Sequence, residues 1–287
     1  MQEGRRFALA TLAELRAAKT APVGTSIAVD SDGRIAGNIG AGCYESEIIE
    51  TARHTLHDGV LRRLDIDLDS DDALTGATAC GAQLRIIVWR PERDFLDVAR
   101  AIVNGQHDVT LRIGNFEHVW AAKQTLVLVG ATALAAALST IGRRADLRVI
   151  VVDPRPAFAT RERIPDADEL VREWPDDYLP RVLNARTSIV VLSHDPKFDM
   201  PALRCALRSA APYIGLLGSR RAQHARRTAL RAEGFDDAAL ARIHGPVGLD
   251  IGGTNEGETA VSILAEIIAQ RSGRHGTPLV AELGAIH

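Results

Sequence analysis

The stretch GNIGAGCYESEIIE, Gly37 to Glu50, sets a cysteine between glycines and an acidic, helix-like segment. Gly40 and Gly42 let the backbone come close to a bound group. Cys43 then stands where a helix begins, and the helix dipole there favours a thiolate. Glu45 and Glu47 follow at once and oppose a second negative charge. The residues alone leave two readings open, a ligand-facing thiol and a small buried cysteine. Cys80-Gly81 repeats the theme in the same third of the chain.

Three further places could carry chemistry. The turn after Val129 reads Gly130-Ala131-Thr132-Ala133-Leu134-Ala135. A dinucleotide fingerprint needs a second glycine where Thr132 stands, and a β-branched side chain there crowds a pyrophosphate. Asp153, about 20 residues on, occupies the place of a ribose-binding acid. The alternative is a Rossmann-type fold that holds no NAD(P). In GLLGSRRAQHARR, Gly218 leaves a strand, Ser219 can cap a helix and Arg220 follows, a pattern that suits an anion. Arg226 and Arg227 read as a solvated helix face. His194-Asp195 follows SIVVLS, at the carboxyl end of a strand, where open α/β sheets bind ligands. A turn with Asp195 as helix cap is the plainer alternative.

The elements that would position these residues fall into two groups. In the first third, TSIAVDSDGRIAGNI is a hairpin around Asp32-Gly33. Ile48, Ile49, Ala52 and Leu56 fall at helical spacing up to Gly59, and LRRLDIDL and QLRIIVWR read as strands. DSDDALTGATACGA is a loop, and FALATLAELRAA fits either helix or strand. A helix over 94–103 and one or two strands complete this α+β part. From TLVLVG onward strands alternate with helices, which predicts βαβ units and a doubly wound parallel sheet, Rossmann-like in kind. The fold class is therefore α/β, with an α+β domain over 1–122 and a Rossmann-like domain over 123–287. Asn255 with Glu258 marks the start of a last helix whose buried stripe is Ala260, Ile263, Leu264, Ile267 and Ile268.

Composition narrows the function classes. A net charge of −3, a pI near 6.3 and only 4% aromatic residues argue against nucleic acid. Cys43, Cys80 and Cys205 form no C-x-x-C pair, so a structural zinc site has no support. Cys205 reads as core or helix face. The uncharged run Thr125 to Gly142 approaches the length of a membrane span but reads as strand, turn and helix, so no stable span is expected. The N-terminal segment carries Glu14 and Arg16 where a signal peptide needs an apolar run. A cytoplasmic protein is expected.

Read in order, these segments resemble the xanthine dehydrogenase accessory protein family, the XdhC/CoxI group. APVGTSIAVDSDGRIAGNIGAGCYESEI is similar to its turn followed by a G-G-C-v-E motif, and TACGAQLRIIV to its C-G-G motif. VVDPRPAFATRERIPDADEL, SHDPKFDMPALR, YIGLLGSRR, IHGPVGLDIG and AVSILAEIIA resemble its Rossmann-like domain in order and spacing. The likeness covers nearly the whole chain. The family commonly has G-A-G-H-V-A where this chain has Gly130 to Ala135.

The resemblance implies a carrier of the molybdenum cofactor (molybdopterin). Such a carrier protects the cofactor, supports its sulfuration by a cysteine desulfurase and inserts it into an apo molybdenum hydroxylase. Cys43 and Cys80 fall on the family's cysteine motifs, and soft thiolates suit a metal–sulfur group. The cofactor is expected between the two domains, with its phosphate near Ser219 and Arg220. A homodimeric state stays open. Two rival readings remain. One is an NAD(P)-dependent oxidoreductase with a degenerate fingerprint. The other is a thiol enzyme using Cys43, whose nearest histidines in sequence are His54 and His57.

Overall fold

FALATLAELR, readable from sequence as helix or strand, is the middle strand of an antiparallel sheet. The computed structural model describes residues 6–16, 22–39, 44–67, 83–92, 94–105 and 107–281. It divides into two compact units, Met1–Ala122 and Lys123–His287.

The first unit contains β1 (Phe7–Arg16), β2 (Ser26–Asp30), β3 (Ile35–Gly37), α1 (Glu45–Asp58), β4 (Arg62–Asp67), β5 (Gln83–Trp89), α2 (Phe95–Val103), β6 (Val109–Ile113) and β7 (Phe116–Trp120). The main sheet has the order β3-β2-β1-β5-β4, and β6 and β7 form a separate hairpin. The register of β1 on β5 shifts between Leu12 and Glu14. This bulge breaks the two-residue period that would have marked β1 as a strand. α1 buries Ile48, Ala52, Thr55 and Leu56. Its apolar side chains share one core with Ala8, Ala10, Leu12, Ile27, Val29, Ile86 and Val88 from the strands. Gly59 ends the helix in the left-handed conformation, its N–H returning to the Thr55 carbonyl.

The second unit continues with β8 (Thr125–Val129), α3 (Ala133–Arg144), β9 (Arg148–Val152), β10 (Glu169–Val171), α4 (Pro175–Tyr178), β11 (Thr187–Val191), α5 (Pro196–Arg208), β12 (Tyr213–Leu216), α6 (Arg220–Ala232), α7 (Asp237–Ala241), β13 (Ile243–His244) and α8 (Glu256–Arg271). Six parallel strands lie in the order β10-β9-β8-β11-β12-β13. Side chains alternate between two cores. Val127, Val129, Ile150, Val152, Ile189 and Val191 join residues of α5 and α6. Leu126, Leu128, Val149, Val151, Val190 and Leu192 join α3 and α8. Covering on both faces is why these strands are unbroken apolar runs.

The edge strands β10 and β13 escaped the sequence reading because they have three and two residues. Asn255 caps α8 through the Glu258 N–H. The expected stripe needs one correction: Ile268 is 40% exposed, and Ser262 takes part in the buried face.

A polar knot ties β12, β13 and α8. The Glu266 carboxylate accepts from the Tyr213 hydroxyl at 2.6 Å and the Gly248 N–H at 2.7 Å. His244 Nδ1 lies 3.0 Å from its other oxygen. Burial pushes the carboxyl up, but the contacts with His244, Tyr213 and Gly248 outweigh it and hold the pKa below the ordinary 4.5. A depressed carboxyl contributes stability that is present above the unfolded value and lost as pH falls through the folded one. Glu266→Gln is therefore expected to be less stable than wild type at pH 7, with the two converging under acid. Denaturant titrations at pH 7 and pH 3 measure this, and a constant gap would contradict it.

Candidate functional site

β8 leads outward to β9 and β10, and the chain then returns to place β11 on the other side of β8. The order thus reverses between β8 and β11. The loops after these two strands flank a crevice at their carboxyl ends, the place where open α/β sheets bind ligands. A cleft of about 330 Å³ lies there, lined by Thr132, Arg155, Phe158, Arg163, His194 and Asp195 among others.

Gly130 has φ +106°, and a Cβ at this position would lie 3.0 Å from the Ser193 nitrogen. Only glycine lets the two loops pass so closely. Thr132 caps α3, its Oγ1 accepting from the Ala135 N–H at 3.2 Å. The Ala131 N–H is bound by Asp153 Oδ2 at 2.8 Å, and the Thr132 N–H by the Gly130 carbonyl. Two N–H groups of this turn are thereby used internally. NAD(H) and NADP(H) are expected to bind weakly or not at all, and calorimetry showing micromolar affinity would contradict this.

Asp153 reaches the cleft only through a neighbour. Its side chain is wholly buried. Besides Ala131 it accepts from the Arg155 N–H at 3.0 Å, Nε at 2.9 Å and Nη2 at 2.7 Å. Burial pushes the carboxyl up, but these bonds outweigh it and keep the pKa below the usual aspartate range. The forked bond fixes the Arg155 guanidinium 4.0 Å from the Phe158 ring centroid and 5.1 Å from that of Phe198. Arg163 lies 5.1 Å from the Phe158 centroid. It has no carboxylate partner among the described residues. Sequence reasoning missed Arg155, Phe158 and Arg163. The signal was the run of arginines around one phenylalanine in DPRPAFATRER, directly after the strand-end acid.

His194 is exposed on the cleft wall, and Asp195 caps α5 through the Lys197 N–H at 2.9 Å. Behind them Asp199, on the first turn of α5, is fully buried. It accepts from the Ser193 hydroxyl at 2.5 Å and pairs with Arg226 of α6.

Gly218, Ser219 and Arg220 lie one strand further along, after β12. Gly218 has φ +134°, and Arg226 Nη1 lies 3.2 Å from where its Cβ would be. Ser219 caps α6 through the Ala222 N–H. Arg220 and Arg221 are exposed, with no acidic partner among the described residues. The expectation of a solvated face for Arg226 and Arg227 is overturned. Arg226 is the buried partner of Asp199, and Arg227 donates to the Leu240 and Ile243 carbonyls, each at 2.7 Å. Both arginines turn toward carbonyl or carboxylate groups that sequence spacing on the helix does not reveal.

Gly40, Gly42, Cys43 and Cys80 lie outside the described residues. Their flanking elements still carry information. β1 ends at Arg16 opposite Gln83, where β5 starts, and β4 ends there too. β2 begins and β3 ends toward the same side, Thr11 facing Ser26 and Ile27 facing Gly37. The chain thus enters the Cys43 stretch from the same end of the sheet at which it returns from the Cys80 stretch. Among the described residues no group of three His, Cys, Asp or Glu side chains could hold a metal ion. No described helix is long and apolar enough to cross a membrane. Cys205 lies half-buried on α5, and burial pushes its thiol up.

A family model described as the XdhC and CoxI family matches residues 1–67, and one described as the XdhC Rossmann domain matches residues 126–267. A Bacillus subtilis protein, named as one of the probable subunits of xanthine dehydrogenase, is 24% identical over 94% of this chain and 95% of its own. The Escherichia coli molybdenum cofactor insertion chaperone PaoD is 23% identical over 94% of this chain and 85% of its own. A solved structure described as a xanthine dehydrogenase from Bacillus halodurans matches with a TM-score of 0.77 at 20% identity, covering 95% of this chain and 94% of that one. At that identity the likeness speaks for the fold alone.

Proposed function

The chain belongs to the XdhC and CoxI family, and on that premise we propose that it is a cytoplasmic carrier of the molybdenum cofactor. It protects the cofactor, supports its sulfuration by a cysteine desulfurase and inserts it into an apo molybdenum hydroxylase. The observation that carries this reading is the likeness, over 94% of the chain, to a protein named as a molybdenum cofactor insertion chaperone. The cofactor is cargo here, and the work of the chain is to hold and release it.

Cys43 and Cys80 are the proposed contacts for the metal–sulfur end, with Gly40 and Gly42 allowing close approach. The strand ends support this pairing, since both stretches connect to one end of the first sheet. Gly130, His194 and Asp195, with Asp153 acting through Arg155, form one proposed contact region in the second unit. Gly218, Ser219 and Arg220 form another. An NAD(P)-dependent oxidoreductase is disfavoured by the internal bonding of the 130–132 turn. Molybdenum and pterin analysis of protein purified from cofactor-producing cells tests the proposal. Co-purification of both supports a carrier, and protein free of both argues against one.

A further inference from the structure

Resting on the carrier reading, we propose that the cleft between the ends of β8 and β11 is the site for the phosphate-ester end of the cargo. Arg163 and Arg155, gathered around Phe158, are its grip.

The cleft lies where the strand order reverses, and its volume of about 330 Å³ exceeds what an inorganic anion needs. Arg155 is immobilised by its forked bond to Asp153 and by two aromatic rings, so little rotamer freedom is lost when it meets an anion. Arg163 sits by the same ring without a carboxylate partner among the described residues. An arginine fork matches a phosphate's oxygens better than a point charge does.

The cleft also has a negative group. Asp195 lines it, accepting the Lys197 N–H and interacting with Arg155. It opposes anions that lie over His194, so the phosphate belongs on the Arg163 side. A monoester fits better than a dinucleotide. The Ala131 and Thr132 N–H groups that would face a pyrophosphate are already bound.

Calorimetry of the full chain with phenyl phosphate, at fixed low ionic strength, tests the site independently of the cofactor. Wild type is expected to bind it more tightly than inorganic phosphate. Arg163→Ala should weaken binding roughly 10- to 100-fold, the scale of a lost charged hydrogen bond. Arg163→Lys should recover part of the loss, and Arg221→Ala, an exposed arginine on α6, should change it less than about twofold. No binding by wild type, or an Arg221→Ala loss equal to or larger than that of Arg163→Ala, would overturn the assignment. Equal affinity for inorganic phosphate would overturn the ester part of it. Protein that binds the probe through Arg163, yet carries no molybdenum or pterin from cofactor-producing cells, upholds the site and refutes the carrier.

Discussion

Asp199→Ala is expected to cost the second unit about 3–5 kcal/mol. The Asp199 side chain is fully excluded from water, and that of its partner Arg226 is 11% exposed. Removing the carboxylate strands a buried guanidinium whose Nε already lacks an acceptor. It also frees the Ser193 hydroxyl, and with it the loop that carries His194. Burial pushes the Asp199 carboxyl above its usual range against the pull of Ser193 and Arg226, so this pair is expensive to keep charged. A double variant, Asp199→Leu with Arg226→Met, should therefore lose less than the single one. Denaturant unfolding at pH 7 measures both. A single variant within about 1 kcal/mol of wild type, or a double variant worse than the single, would contradict this account.

The same pair marks the limit of what local sequence spacing shows. The doubly wound sheet is legible because buried parallel strands are apolar runs, and TLVLV, RVIVV and TSIVV are short and rich in β-branched residues. Strand-end positions of Gly130, His194 and Asp195 followed from the order of elements. Asp199 and Arg226, 27 residues apart, meet only through tertiary packing, and nothing in their local spacing announces it. The place of Asp153 at a strand end is legible in the sequence, but its partner two residues on decides what its carboxylate does. β1 was ambiguous because a bulge at Leu12 to Glu14 puts the strand out of phase with itself.

Cys43→Ser is expected to abolish, or nearly abolish, cofactor retention or delivery while leaving the fold intact, since the change is close to isosteric. Glu45 and Glu47 stand in the first turn of α1 and oppose the dipole that would otherwise activate a thiol there. A freely reactive nucleophile is thus disfavoured. A nearby metal ion reverses the balance, because its charge favours the deprotonated sulfur. Cys205→Ser should leave delivery unchanged, since burial keeps that thiol protonated on α5. Circular dichroism serves as the folding control. Full delivery by a folded Cys43→Ser protein would return this cysteine to a packing role.

Cofactor transfer itself tests the central claim most directly. Chain purified from cofactor-producing cells is mixed with an apo molybdenum hydroxylase, and the hydroxylase is re-isolated. The carrier account predicts that molybdenum and pterin leave the chain, appear in the hydroxylase and bring its activity with them. A hydroxylase that stays empty and inactive beside the loaded chain, yet is activated by free cofactor, would contradict it.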